Sequence, residues 1–171
     1  MAESIGLEAG KVKLKNYSPE WEGLYNAEEA LIKAAIQYEI VSIAHIGSTS
    51  IPNLRAKPII DILLVLPNDF GEEKAIQILG ELGYYRGEFQ KEEGIFFVKM
   101  HGELHTHYLH LRKEMHGWKK YILFRDYLRT HPEVASEYQI IKDSLRELYH
   151  SKREFYTRGK EEFILGILAK I

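Results

Sequence analysis

The segment Ile59-Ile60-Asp61-Ile62-Leu63-Leu64-Val65-Leu66 is apolar at every position but one. Side chains alternate between the two faces of a strand, so an unbroken apolar run demands cover on both faces. The chain must therefore build a sheet layered between other elements, with this strand well inside it. Pro58 precedes the run, and Pro67-Asn68-Asp69 ends it. Asp61 is the exception. Burying a carboxylate without a partner costs roughly several kcal/mol, so a cation or strong donors are required beside it. Two readings follow: a salt bridge to Lys57, Arg55 or a helix-borne arginine, or a divalent-metal ligand facing a pocket.

A chain of 171 residues suits one domain, and 45% hydrophobic with 28% charged residues is enough for a packed core. The formal net charge of -2 and a pI near 6.5 argue against a large surface for nucleic-acid phosphates, while leaving room for a small basic pocket. The absence of cysteine removes disulfides, thiolate metal sites and a cysteine nucleophile together. Met1 to Gly10 has no basic stretch leading into an apolar one, and no run approaches the ~18 apolar residues of a membrane span. A cytoplasmic protein with no membrane partner is the expectation.

Val12-Lys13-Leu14 alternates and reads as a short strand. Ser18-Pro19-Glu20 supplies a cap, a proline and an acid for a helix start. The spacing of Trp21, Leu24, Tyr25, Leu31, Ile32 and Ile36 predicts a helix of roughly five turns. Ile40 to Ile46 reads as a strand, Gly47 to Ala56 as a polar loop with one helical turn, and Lys57 before Pro58 as extended. Glu72 to Leu82 is a helix closed by Gly83. Tyr84 to Phe89, Ile95 to Met100 and Leu104 to Arg112 follow as strands, with a hairpin turn at Lys91-Glu92-Glu93-Gly94. Helices are expected from Trp118 to about Arg129, from Pro132 onward with Val134, Tyr138, Ile141, Leu145 and Leu148 on one face, and from Phe155 to Ala169. This order implies an α+β domain: a mixed β-sheet over residues 1–116 with C-terminal helices, 117–171, packed on it.

His45-Ile46-Gly47-Ser48-Thr49-Ser50 stands where a strand gives way to the polar loop. Glycine admits close backbone approach, and the hydroxyls and N–H groups beside it suit phosphate oxygens. Gly-Ser is also ordinary turn chemistry. In the last strand His105 and His107 share one face and Thr106, Tyr108 and His110 the other. If His110 faces Asp61, an Asp/His pair favours Zn²⁺, Mn²⁺ or Fe²⁺ over Mg²⁺, or supplies a general base. His101, His105 and His116 read as hydrogen-bonded histidines of an exposed sheet face. Arg125 and Arg129 lie one helical turn apart, as do Lys142 and Arg146, a spacing that grips a phosphate or simply forms a solvated helix face.

The stretch from His45 through Asp61 to Leu63 resembles the signature of the GrpB family. So do Tyr17-Ser18-Pro19-Glu20-Trp21, Thr106-His107-Tyr108-Leu109-His110-Leu111, Leu123 to Arg129 and Tyr156-Thr157-Arg158-Gly159-Lys160. The resemblance implies the fold of DNA polymerase beta-type nucleotidyltransferases. It assigns Gly47 and Ser48, with His45 and Thr49, to nucleotide phosphates and Asp61 to a divalent metal, Mg²⁺ or Mn²⁺. Asp61, His110 and Lys57 become the candidate catalytic residues, His110 a second metal ligand. Arg125, Asp126, Arg129, Lys142 and Lys160 become candidates for the pocket's far wall, while Tyr127, Tyr138 and Tyr156 either line it or, as the simpler reading, pack in the core. Leu63 stands where the superfamily carries its second carboxylate, and two-metal chemistry needs ligands for ions ~3.5–4 Å apart. The implied function is metal-dependent nucleotidyl transfer to an unknown acceptor. The alternative is a module that binds a nucleotide or coenzyme-like, phosphate-bearing molecule without transfer.

Overall fold

A computed structural model describes residues 5–87 and 94–171. The double-sided apolar run forms β3 (Ile60–Leu66), buried at every position except Asp61. It lies between β2 (Ser42–Ile46), antiparallel to it, and β6 (Leu104–Lys113), parallel to it. The sheet continues through β5 (Gly94–His101) to β4 (Tyr84–Arg86), giving the order β2-β3-β6-β5-β4. A two-residue strand, β1 (Leu7–Glu8), pairs with the start of β6. A parallel neighbour needs a crossover, and α2 (Glu72–Glu81) lies in the connection that leaves β3.

One face of the sheet presents Ile60, Ile62, Leu64 and Leu66 with Leu109 and Leu111. Against it pack Trp21, Tyr25 and Ile32 of α1 (Glu20–Ala35) and Ala75 and Leu79 of α2. The other face carries Leu63 and Val65, which meet Ile46, Ala44, Trp118, Tyr121 and Ile122. Those last aromatic and aliphatic side chains belong to α3 (Lys119–Thr130) and the turn before it. Three more helices complete that layer: α4 (Pro132–Leu148), α5 (Arg153–Arg158) and α6 (Glu161–Leu168). Leu128, Tyr138 and Ile167 from these helices close on Ile51 and Leu54, so the helical layer also clasps the polar loop.

The helix start at Ser18-Pro19-Glu20 forms as expected, with the Glu20 N–H donating to Ser18 Oγ at 3.3 Å. Three expectations need correction. Val12 to Leu14 is not a strand: Val12 and Leu14 are buried against Tyr156, with Leu145 and Tyr149 packed beside them, and sheet pairing is confined to a Lys15–Ala56 bridge. The alternation was real, but the covering face is helical. The last helix is two, α5 ending at Arg158 and α6 starting at Glu161, with Gly159 between them packed so that an added Cβ would come within 2.4 Å of Leu145 Cδ2. Leu7–Glu8 pairs where no strand was expected. The hairpin turn from Lys91, and the end of the strand beyond residue 87, lie outside the described residues. Among the described residues no helix is long and apolar enough to cross a membrane.

Candidate functional site

Asp61 enters β3 opposite Ile46 of β2 and Tyr108 of β6, on the face covered by the C-terminal helices. The cover is thin at this end of the strand, and the Asp61 side chain keeps 26% of its exposure. Gly47 closes over it from β2. Its φ of +70° lies in the left-handed region, and an added Cβ would stand 2.6 Å from Asp61 Oδ2. Both facts require glycine here. The backbone then runs into a 3-10 turn, Ser48–Ser50, held by Ser50 Oγ donating to the Gly47 carbonyl at 2.6 Å. A single 3-10 turn has poorly aligned dipoles, so positive charge at this site must come from side chains.

It does. His110 Nε2 lies 3.5 Å from Asp61 Oδ1, with its ring between Phe96 and Tyr121. Lys57 and Lys160 act on the same carboxylate from the loop and from the break between α5 and α6. Burial works to raise the Asp61 carboxyl, but the His110 hydrogen bond and charge, with Lys57 and Lys160, outweigh it and hold the group below its usual value. Lys57 sits between two phenol rings, 5.8 Å from the centroid of Tyr108 and 5.7 Å from that of Tyr156. Lys160 lies 4.7 Å from the Tyr156 ring. Arg153 donates to the Tyr108 hydroxyl and to the carbonyls of Glu8 and Lys11. The Ser48 side chain is hydrogen-bonded to the buried Tyr138 hydroxyl. Burial, with Lys160 and Arg153 nearby, brings the Lys57 ammonium down to about 7; burial and Lys160 bring Lys142 to about 7 as well. Cations crowd one carboxylate beneath three tyrosines.

Several sequence-derived candidates stand elsewhere. His45 is buried on the opposite face, stacked on Tyr25 at 4.8 Å, its Nε2 2.9 Å from Thr49 Oγ1. Burial pushes its imidazole down to about 4. His45 and Thr49 thus brace the turn from the sheet face opposite Asp61. Arg125 donates to the His45 carbonyl at 2.9 Å, and Arg129 makes two bonds, 2.9 and 2.7 Å, to the Ser50 carbonyl. These arginines clamp α3 to the turn. They border a groove of about 1020 Å³ between α1, β2, α3 and α4, whose walls do not include Gly47, Ser48 or Asp61. Lys142 is fully buried and donates to the Arg55 carbonyl, so it adds charge behind the site rather than a wall to it. Arg55 is paired with Asp143 at 2.8 Å, not with Asp61. Tyr127 stacks on His131 at 3.9 Å, outside the cluster. His107 lies on the other sheet face, bonded to Thr106. His105, expected on an exposed face, reaches the Tyr108 hydroxyl at 3.0 Å.

Arg153 and Tyr108 had escaped sequence reasoning. Tyr108 was legible in principle, since it shares a strand face with His110. Arg153 was not, because no periodicity links it to β6.

The family model described as GrpB protein matches residues 11–170. A UPF0157 protein of Pseudomonas aeruginosa is 37% identical over 164 residues, covering 94% of this chain and 67% of that protein. Glutamate-rich protein GrpB of Alkalihalophilus pseudofirmus is 35% identical, covering 96% and 98%. Among solved structures, conserved protein GrpB from Enterococcus faecalis superposes with a TM-score of 0.82 at 28% identity, covering 92% and 96% of the two chains. Cid1 poly(U) polymerase with MgGTP bound gives a TM-score of 0.51 at 11% identity over 77% of this chain and 44% of its own. At that identity the likeness concerns the fold alone.

Proposed function

Because the chain belongs to the GrpB family, we propose that it binds a phosphate-bearing small molecule, foremost a nucleotide, between the Gly47-Ser48 turn and Asp61. The observation carrying this reading is the surplus of cations there: Lys57 and Lys160 bear on Asp61, with Arg153 next to Lys57. A site short of negative charge gains most from an anion, and clustered ammonium and guanidinium groups give phosphate oxygens charge-assisted donors. Ser48, half-buried beside exposed Gly47, adds a hydroxyl at the mouth. Tyr108, Tyr138 and Tyr156 are buried in the packing around the site and hold its cations and Ser48 in place rather than facing a ligand.

The family's fold implies divalent ions, and the donor set here fits them badly. Leu63 is fully buried among Ala44, Ile46 and Val65 where a second carboxylate would be needed. Among the described residues no group of three or more His, Cys, Asp or Glu side chains converges as a metal site. Asp61 with His110 is a pair, not a cage, whereas Mg²⁺ asks for oxygens in near-octahedral array.

A second reading, nucleotidyl transfer to an unknown acceptor, draws on the 3.5 Å approach of His110 to Asp61. A carboxylate that orients an imidazole makes it a better proton acceptor. Titrating the protein calorimetrically with ATP, coenzyme A and adenosine separates the possibilities. ATP or coenzyme A should bind and adenosine should not, and Lys160→Met should weaken binding by about tenfold, the loss of one charge-assisted contact. Equal affinity for adenosine would remove the phosphate from the argument. Pyrophosphate release on incubation with ATP and a cell extract fraction, abolished by His110→Ala, would move the second reading ahead of the first.

A further inference from the structure

We propose, resting on the phosphate-site reading above, that the Asp61 site holds its anionic ligand without a divalent metal, the basic side chains supplying the counter-charge that ions supply in metal-dependent phosphoryl chemistry. Three observations carry it. The first is the balance of charge. Lys57 and Lys160 both lie against the Tyr156 ring and act on Asp61, Arg153 stands beside Lys57 on the Tyr108 hydroxyl, and Asp143, near Lys142, is committed to Arg55 at 2.8 Å. A divalent cation would meet Lys160, Arg153 and the charged fraction of Lys57 as well as Asp61.

The second is the state of the carboxylate itself. Asp61 Oδ1 faces His110 at 3.5 Å, and Oδ2 lies under the Gly47 backbone, so close that a Cβ there would approach to 2.6 Å. Each oxygen is thus hemmed on one side, and a single carboxylate remains for an ion that surrenders its waters reluctantly. The third is Leu63. Its side chain is not merely a missing ligand but part of a dry cluster with Val65, Trp118, Tyr121 and Ile122. An ion beside it would be stripped of water with no oxygen in exchange.

The lysines suit the opposite partner. Burial and Lys160 bring Lys57 and Lys142 down to about 7, so each is only partly protonated near that pH and an arriving phosphate draws it toward the ammonium form. Binding near pH 7 is therefore coupled to proton uptake.

The test is calorimetric titration of the full chain with ATP and with inorganic tripolyphosphate, in EDTA and in excess magnesium. The expected result is binding in EDTA at least as tight as in magnesium, since magnesium masks the phosphate charge, with heats that change between buffers of different ionisation enthalpy. Asp61→Asn should bind both probes more tightly than the parent, because a carboxylate that repels phosphate has been neutralised. Binding that requires magnesium and disappears in Asp61→Asn overturns the inference and leaves the phosphate site standing. Failure of both probes under both conditions overturns the phosphate site too. The comparison on the unaltered protein decides the question even if Asp61→Asn does not fold.

Discussion

At the scale of single residues, Gly47 and Asp61 form one object. The backbone at Gly47 can pass over the carboxylate only because it has no side chain, and its φ of +70° would strain any other residue. Gly47→Ala should therefore lower stability by about 1–3 kcal/mol, the usual cost of a non-glycine in such a conformation with a close approach, as read from urea denaturation. An unchanged midpoint would mean that the turn relaxes away from Asp61 and that the two need not be adjacent. Leu63 shows the same local logic in reverse. Two residues from Asp61 on the same strand face, it meets Trp118 and Ile122 where a charge would meet nothing.

At the scale of elements, the turn is held by α3 from one side and by His45 from the other. Arg129 places two N–H groups on the Ser50 carbonyl. Its removal in Arg129→Met should cost about 1.5–3 kcal/mol, as for hydrogen bonds from charged donors. Arg129→Lys should recover only part of this, since an ammonium lacks the planar fork; equal stability of the two variants would argue against a geometric role. The break between α5 and α6 is a second element-level device. It turns Lys160 onto Tyr156, and it exists where Gly159 abuts Leu145. Gly159→Ala overpacks that contact and should destabilise by about 1–3 kcal/mol. Adding Leu145→Ala should make the pair less damaging than the sum of its parts, whereas strict additivity in a double-mutant cycle would deny the contact.

At the scale of the whole molecule, buried titratable groups give stability a defined pH dependence. Lys57 and Lys142 ionise near 7 in the folded chain and near 10.5 when unfolded. Between those values the unfolded chain binds more protons, so stability rises with pH from about 7 upward and is lowest below 7, where both ammonium groups are forced into the fold. His45, brought down to about 4 from 6.5, adds a rise over the interval between those two pH values. Asp61 acts in the acid range: its lowered carboxyl contributes stability above the ordinary carboxylate value, lost as pH falls below it. Melting temperatures should thus climb from pH 6 to pH 9 without ligand, and Lys57→Met should flatten the climb. A flat profile in the parent protein would show that these lysines are better solvated than their packing indicates. A phosphate ligand at a hundred times its Kd should add about 2.7 kcal/mol, most visibly near pH 7.

The α+β layering and the strand Ile60–Leu66 were written in the sequence, because short-range periodicity and strand-to-loop transitions are local properties of the chain, whereas the adjacency of Gly47, Ser48 and Asp61 was implied by the family resemblance alone. Asp61 announced itself as a lone charge in an apolar run. What surrounds it was not local. The alternation of Val12 and Leu14 could not say whether a sheet or a helix would cover it, and identical helical spacing left Arg125, Arg129 and Lys142 indistinguishable from ligand-gripping side chains. Only the packing of α3 to α6 on the sheet spent those cations on backbone carbonyls, while bringing Arg153 and Lys160 to the β3 end from nearly a hundred residues away. Charge adjacency across such distances is set by which surfaces cover which, and that belongs to the folded molecule alone.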